Sequence, residues 1–521
     1  MPQISVNNLS FQYNNYGEDI FKDVSFSIDT DWKLALIGRN GRGKTTFLKL
    51  LMGEYEYSGT ISSPVKFEYF PYEVRNKKAI ALEVIRESIA PFALWEKQIN
   101  EFSNSPSQIN EYGEVLEKFI YYDGYIINEM IEKEVRKMNL DPDLLNRVFE
   151  TLSYGEQNKL LLIALFLKKN HFLLIDEPTN HLDTNGRIAV SKYLASKKGF
   201  IVVSHDRNFI DNTVNHILSI NKCSINVQKG NFSTWQLNKT RQDEFEKAKN
   251  EKLKKEIERL KNASIQKENW ANQTEASKNS STSYDKGYIG HKAAKMMKRA
   301  KCINARKEKF INEKTTLLKD CEVEEDLDML ILSEGNDTIL DIHNLQIFYD
   351  NMPLFSPLSF KIKNGTRLWL RGTNGCGKSS IIKSILNENI NYSGTIIKPQ
   401  KISYISQDTS FLKGTLKEFI IENYIDEALI KSTLYKMGFE TNQYEKNIDE
   451  WSEGQKKKLL IAKSLCEKAE LFIWDEPLNF LDIISRLQIE KLICNIKPTM
   501  LFVEHDISFG EKIATDILWM K

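Results

Sequence analysis

The 521-residue chain has no apolar run long enough to cross a membrane. A span needs about 20 mostly apolar residues, and the longest clean run, Leu160 to Leu167, has eight. The start, MPQISVNNLSF, has neither a basic n-region nor an apolar h-region, so no secretory signal is expected. Cysteine is scarce. The six (Cys223, Cys302, Cys321, Cys376, Cys466 and Cys494) show no paired spacing. That argues against a disulfide framework or a zinc site and fits reduced thiols of a cytoplasmic protein. Net charge is only +1, and 41% hydrophobic with 27% charged residues excludes a mainly disordered chain. The near-neutral total hides a segregation, however. Between Lys239 and Asp320 there are 22 Lys/Arg against 12 Asp/Glu, which leaves about −9 for the remainder. The length suggests about three or four domains, or two large ones and a connector.

Self-similarity organises the chain. GRNGRGKTT (38–46) returns as GTNGCGKSS (372–380), an offset of 334. LSYGEQNKLLLIALF (152–166) returns as WSEGQKKKLLIAKSL (451–465), and LLIDEPTNHLD (173–183) as FIWDEPLNFLD (472–482), both at 299. VVSHD (202–206) returns as FVEHD (502–506) at 300. The first copy therefore carries about 35 extra residues between Tyr72 and Ser153, because Tyr72 still aligns with Gln407. The expectation is an α/β chain of two units, 1–235 and 337–521, joined by a connector over 236–336. Runs such as LALIG and FLLID read as buried strands. The surplus of the first unit, about 77–140, reads as a small insert of amphipathic helices.

Gly38, Arg39, Asn40, Gly41, Arg42, Gly43, Lys44 and Thr45, followed by Thr46, fit a phosphate-binding loop. Backbone N–H groups of such a loop wrap phosphate oxygens, and the helix that follows adds a favourable dipole. Lys44 is expected on the β- and γ-phosphates and Thr45 on Mg²⁺. Gly372, Thr373, Asn374, Gly375, Cys376, Gly377, Lys378, Ser379 and Ser380 repeat the pattern. Asp176 and Asp475 each end an apolar strand, where a carboxylate can hold Mg²⁺ through water. Glu177 and Glu476 follow directly and are candidates to orient or deprotonate a water. His205 and His505 end another strand run, as contacts to the γ-phosphate or as structural residues. Tyr13 and Tyr349 precede the loops by about 25 residues, to stack on adenine or as strand-edge aromatics. The implied cofactors are ATP and Mg²⁺.

These blocks resemble the ATP-binding-cassette superfamily, over both repeats. The resemblance implies tandem cassettes that hydrolyse ATP to ADP and phosphate at two composite sites, paired within a monomer. Ser153, Gly155 and Gln157 of the first signature sequence would face the Lys378 site. Ser452, Gly454 and Gln455 of the second would face the Lys44 site. DEPTNHLD, the charged connector and the lack of a membrane segment resemble the ABC-F family of translation factors, which implies no permease partner. Tyr72 stands where Gln is expected, Trp451 where Leu is, and the second D-loop reads DEPLNFLD. These departures imply unequal sites.

The connector reads as two antiparallel helices around a tip at about 276–291. Residues 240–275 have few breakers, and a helix of that length spans about 50 Å. From Lys286 to Lys309 there are nine basic residues and one acid. Lys286, Lys292, Lys295, Lys298 and Arg299 suit phosphate backbones, and Tyr284 and Tyr288 suit stacking on bases. The stretch YDKGYIGHKAAKMMKRAK resembles the connector of antibiotic-resistance ABC-F proteins of the Lsa and Vga type. That resemblance implies a cytoplasmic, ribosome-associated protein on the 70S ribosome. It would enter at the exit site, touch 23S rRNA and reach past P-site tRNA to protect the peptidyl-transferase centre from lincosamides, streptogramin A and pleuromutilins. A housekeeping translation factor and the ATPase subunit of an exporter remain alternatives.

Overall fold

The computed structural model describes residues 2–13, 19–103, 108–180, 182, 184–221, 224–242, 244, 245, 248, 252, 255, 259, 326–332, 337–349, 352–373, 375–388, 390–439 and 441–520. Met1–Phe232 with Glu325–Lys521 form one compact unit, and Ser233–Glu324 form another. The first holds two cassettes of mixed α/β structure.

In the first cassette, strands β1 (Gln3–Gln12), β2 (Asp19–Asp29), β3 (Lys33–Ile37), helix α1 (Lys44–Met52), β4 (Ser58–Ser62) and β5 (Lys66–Phe70) come first. Four helices follow: α2 (Ala81–Ile89), α3 (Phe92–Phe102), α4 (Ile109–Tyr121) and α5 (Ile127–Lys137). Then come α6 (Tyr154–Leu167), β6 (His171–Asp176), α7 (Thr184–Ala195), β7 (Phe200–Val203), α8 (Arg207–Thr213), β8 (His216–Ile220) and β9 (Ile225–Lys229). The main sheet runs β5-β6-β7-β3-β8-β9, parallel except for β9. A smaller antiparallel sheet runs β2-β1-β4. Parallel strands are covered on both faces, and the sequence obeys this: Leu34 to Ile37 and Phe172 to Ile175 are all buried. Helix α6 is apolar all round, with Leu160 to Leu165 buried, because it packs against α2 and α5 of the insert.

The second cassette repeats the plan. Strands β10 (Thr338–Tyr349), β11 (Met352–Pro353), β12 (Leu358–Lys363), β13 (Arg367–Gly372), α9 (Lys378–Leu386), β14 (Asn391–Ile397) and β15 (Ile402–Ile405) are followed by α10 (Leu416–Glu422) and α11 (Glu427–Lys436). Then come α12 (Glu453–Cys466), β16 (Leu471–Asp475), α13 (Ile483–Ile496), β17 (Met500–Val503), α14 (Ile507–Ile513) and β18 (Asp516–Met520). Its parallel sheet is β15-β16-β17-β13-β18. In both cassettes the chain leaves the loop strand, β3 or β13, toward the edge strand β5 or β15, and the later crossovers return in the opposite direction past it to β8 or β18. Ligands bind at the carboxyl ends of strands at such a switch point.

In the second compact unit, residues 233–242 are helical, and the Lys239 ammonium lies 5.5 Å from the centre of the Trp235 ring. The expected hairpin, its tip and the RNA-contact candidates Tyr284, Lys286, Tyr288, Lys292, Lys295, Lys298 and Arg299 lie outside the described residues.

Candidate nucleotide sites

Each phosphate loop leaves its strand and turns into a helix through a left-handed glycine, Gly43 at φ 84° and Gly377 at φ 99°. A Cβ on Gly43 would also stand 2.7 Å from Ile20 Cγ2, so the sharp entry into α1 needs glycine twice over. Lys44 Nζ donates to the carbonyls of Gly38 (2.8 Å) and Arg39 (3.2 Å) and to Asn40 Oδ1 (3.2 Å). Lys378 Nζ donates to the carbonyls of Gly372 (2.9 Å) and Thr373 (2.8 Å). The two ammonium groups thus curl over the hollows of their loops, and burial pulls the Lys44 pKa down. Gly41 and Gly375 also have positive φ. Cys376 is a half-buried free thiol, its Sγ 4.0 Å from Lys378 Nζ. Asn374 lies outside the described residues.

Thr45 Oγ1 donates to Asp176 Oδ2 at 3.3 Å, and Ser379 is hydrogen-bonded to Asp475. Burial raises both aspartates, and Asp475 Oδ1 is buried without a partner. A hydroxyl beside a carboxylate with an unused buried oxygen is a hard-oxygen donor set, and it fits Mg²⁺. Tyr69 also donates to Asp176 Oδ2, at 3.0 Å, a contact the sequence did not suggest.

Glu177 and Glu476 both adopt left-handed backbone, at φ 50° and 48°. Their N–H groups donate to the carbonyls of Val203 (2.9 Å) and Val503 (3.0 Å) on the next strand. Holding a non-glycine residue there costs roughly 1–3 kcal/mol, and such strain collects where a side chain must be aimed. Each glutamate meets the expected histidine: His205 Nε2 is 3.2 Å from Glu177 Oε1, and His505 Nε2 is 3.1 Å from Glu476 Oε1. The environments differ otherwise. Burial and the Asp176 charge push Glu177 up to about 8, while burial and Lys44 hold His205 well below its usual value. Burial also pushes Glu476 up, but the hydrogen bond and charge of His505 and the Asn479 amide outweigh it, so its net shift is downward. Gln407 Nε2 donates to Glu476 Oε2 at 2.9 Å, and Asn479 Nδ2 donates to the same oxygen at 2.6 Å.

Strand register fixes the equivalence of Tyr72 and Gln407. Phe70 pairs with Ile175 and Ile405 with Trp474, one residue before Asp176 and Asp475. Tyr72 and Gln407 each follow their strand by two. The Tyr72 hydroxyl is turned inward near Ser88 of α2, and burial lifts it to about 12.

The tyrosines ahead of the loops are tied to them. Tyr13 Oη lies 3.0 Å from Thr46 Oγ1, and Tyr349 Oη lies 3.0 Å from Ser380 Oγ. The Tyr13 ring packs edge-on against Phe11 and Tyr55, at 5.0 and 5.7 Å between centroids. The Tyr349 ring is half exposed.

Both signature segments cap a helix. Ser452 and Gln455 form a reciprocal capping box at the start of α12, and Ser153 and Glu156 form one at the start of α6. This corrects the expectation for Gln157. The counterpart of Gln455 is Glu156, and Gln157 turns its amide back onto the carbonyls of Phe149 (3.1 Å) and Leu152 (2.9 Å). Gly454 abuts the other cassette: a Cβ there would stand 2.7 Å from Asn40 Nδ2 and 2.6 Å from the Phe480 carbonyl. Asn40 Nδ2 donates to that carbonyl at 2.9 Å, and the Asn40 N–H donates to Asp482 Oδ2 at 3.2 Å. The Arg39 guanidinium lies against Gly438. The second signature and D-loop therefore sit on the first phosphate loop. Asp183, the counterpart of Asp482, lies outside the described residues. Farther along the seam, Arg207 Nη1 donates to Glu490 Oε2 at 2.6 Å, and Ser508 Oγ donates to Asn208 Oδ1 at 2.9 Å.

The family model "ABC transporter" matches residues 21–180 and 355–479, more than half of the chain. Its relatives include the ABC transporter ATP-binding protein YfmM of Bacillus subtilis, 25% identical over 99% of this chain and 98% of that protein. The energy-dependent translational throttle protein EttA of Haemophilus influenzae is 27% identical over 96% of this chain and 88% of its own. ABC transporter F family member 2 of Arabidopsis thaliana is 25% identical over 99% and 76%. Among solved structures, an archaeal ribosome recycling factor aABCE1, in complex with the ribosomal stalk protein aP1, shares the fold with a TM-score of 0.56 at 16% identity. That match covers 98% of this chain and 87% of the other. With two phosphate loops, two Asp-Glu strand ends and a signature glycine seated on the opposite loop, the chain belongs to the ABC transporter family and is an ATP hydrolase with two ABC cassettes.

Proposed function

We propose that this chain is an ABC-F ATPase that binds the ribosome and acts in translation. The observation that carries the reading is the seating of Gly454 and Asp482 on the Asn40 loop. It closes one cassette on the other within a single chain. No helix among the described residues is long and apolar enough to cross a membrane, and the full-length likeness to the translational throttle EttA supports a role in translation.

The chemistry follows from the residues. Bound ATP and Mg²⁺ supply the phosphoanhydride and its neutralising charge. Lys44 and Lys378 are released from their loop carbonyls to hold phosphate oxygens. Thr45 with Asp176, and Ser379 with Asp475, hold the cation. Glu177 and Glu476 orient the attacking water and accept its proton, with His505 fixing the Glu476 carboxyl and His205 standing beside that of Glu177. Tyr13 and Tyr349 support the base. The second signature sequence closes the Lys44 site, and the first closes the Lys378 site through Ser153 and Gly155. ATP favours the closed pair by binding it more tightly than the open one, and hydrolysis releases the ribosome.

The finer reading is protection of the peptidyl-transferase centre from lincosamides, streptogramin A and pleuromutilins, with the connector over 236–336 reaching past P-site tRNA to 23S rRNA. The basic run from Lys286 to Lys309 and its flanking tyrosines support it. The test has two stages. The E177Q/E476Q double variant should co-sediment with 70S ribosomes in ATP and hydrolyse at least about 100-fold more slowly than the wild type. Undiminished turnover would remove both glutamates from their role, and absence from the ribosome pellet would refute the partner. Expression of the active chain, but not the double variant, should then raise inhibitory concentrations of lincomycin and tiamulin. Ribosome binding without any such rise would assign the chain to translation without drug protection.

A further inference from the structure

Helix α12 touches the Lys44 loop and segment 406–409, whose Gln407 reaches Glu476 of the Lys378 site. Gly454 in its first turn abuts Asn40 of the Lys44 loop. One turn later Lys457 is 1% exposed. Its Nζ donates to the carbonyls of Ser406 (2.7 Å) and Gln407 (3.1 Å). Gln407 in turn donates to Glu476 Oε2 at 2.9 Å. Glu453, from the same turn of α12, accepts a hydrogen bond from Thr409. The segment 406–409 is thus fastened to α12 at three points, and its side chain amide reaches the catalytic glutamate of the Lys378 site. A buried lysine is costly unless paired and hydrogen-bonded. Here two carbonyls and the nearby charges of Glu504, Asp475, Glu476 and Glu453 offset that cost. In the first cassette Asn158 stands at the position of Lys457 and Tyr72 at that of Gln407. That line lacks both the ammonium and the amide.

We propose that Lys457 is a positioning residue that makes hydrolysis at the Lys378 loop respond to ATP at the Lys44 loop, with no equivalent line in the opposite direction. Closure of the signature segment on the Lys44 loop moves or locks α12. Through Lys457 that sets the backbone of Gln407 and the aim of Glu476. The proposal rests on the assignment of the two ATP sites above.

The experiment uses the full chain and steady-state ATP hydrolysis. E177Q leaves the Lys378 site active, and E476Q leaves the Lys44 site active. Each single variant should lower turnover, and undiminished turnover in either would refute the site assignment itself. In the E177Q background, K457N and K457M should lower kcat about tenfold with KM for ATP changed by less than about twofold. K457R should restore at least about half of the loss. The loss in E177Q should exceed that in E476Q by at least about fivefold. Adding K44A to E177Q should remove most of the effect of K457M, because both interrupt one line. Equal losses in the two backgrounds, a change in KM alone, no rescue by Arg, or full additivity with K44A would overturn the proposal. K457M keeps the aliphatic stem, so it decides the matter if K457N melts early.

Discussion

Replacing Asp482 by Asn tests the seam between the cassettes. The Asp482 side chain is fully buried and caps α13 by accepting from Ser485 N at 2.8 Å. Lys458 Nζ, itself 3% exposed, lies 2.9 Å from Oδ2, and the Asn40 N–H reaches the same oxygen at 3.2 Å. Burial pushes the Asp482 carboxyl up, but the Lys458 and Lys44 charges overcome this and hold it far below the usual carboxylate range. Asn keeps the shape and one cap acceptor, so little cap energy is lost. It removes the charge and leaves the Lys458 ammonium buried with only the Met437 carbonyl, at 2.9 Å. Breaking a buried pair this way costs about 3–5 kcal/mol. For a cassette of this size each kcal/mol moves the melting point by about 2–4 °C, so D482N should melt roughly 10 °C lower. Calorimetry of the full chain without nucleotide measures the shift. D482N/K458M removes both charges and should recover at least about half of it. A D482N shift below about 2 °C, or a double variant no better than D482N, would refute the view that an unpaired charge is the cost.

Glu504 is buried and accepts from the N–H groups of Leu478 (2.8 Å) and His505 (3.0 Å), and burial lifts it to about 7. The native state therefore keeps this proton longer than the unfolded chain. The group's contribution is present below about pH 4.5 and lost as pH rises through 7, a swing of roughly 3 kcal/mol. Wild type should lose stability to urea relative to E504Q between pH 5 and 8, and parallel profiles would refute the assignment. Arg207 and Glu490 form a buried pair across the seam. R207M strands Glu490 with Lys512 alone and should cost about 3 kcal/mol, read as a lower urea midpoint. An unchanged midpoint would show that Lys512 suffices.

The fold class was legible because its signals are local and doubled. A phosphate loop after a strand, an Asp-Glu pair ending an apolar run and a strand-end histidine are each written in a few consecutive residues, and each occurs twice. Tyr72 was legible as a departure because the sequence offset of 335 agrees with the strand register. The joining of the sites was expected only from the family resemblance, and the individual contacts across the seam were not legible. Arg207 meets Glu490 across 283 residues and Asn40 meets Asp482 across 442, and no local pattern announces such pairs. The misreading of Gln157 has a physical cause. The letters GEQ favour Gln157 by identity with GQ, although the offset of 299 pairs Glu156 with Gln455, and the capping boxes agree with that offset. Lys457 passed as one lysine in a run of three, a pattern that ordinarily marks a solvated face. Its burial follows from segment 406–409 crossing over α12, which only the fold supplies.

The two catalytic candidates share a backbone and differ in what surrounds it. Glu476 has three side-chain partners, His505, Gln407 and Asn479, which use both of its oxygens. Its carboxylate is held in direction from three sides, and a fixed orientation is what a group acting on a bound water needs. Glu177 has His205 at 3.2 Å, and no amide stands at residue 72 to reach it. It is also raised by burial beside Asp176, so more must change around it before it can take a proton. The two sites thus differ in how firmly the glutamate is held. The more firmly held glutamate is the one whose partner Gln407 is fastened to α12, the helix seated on the other loop. Under the role proposed for Lys457, hydrolysis at the Lys378 loop is conditional on the Lys44 loop being occupied.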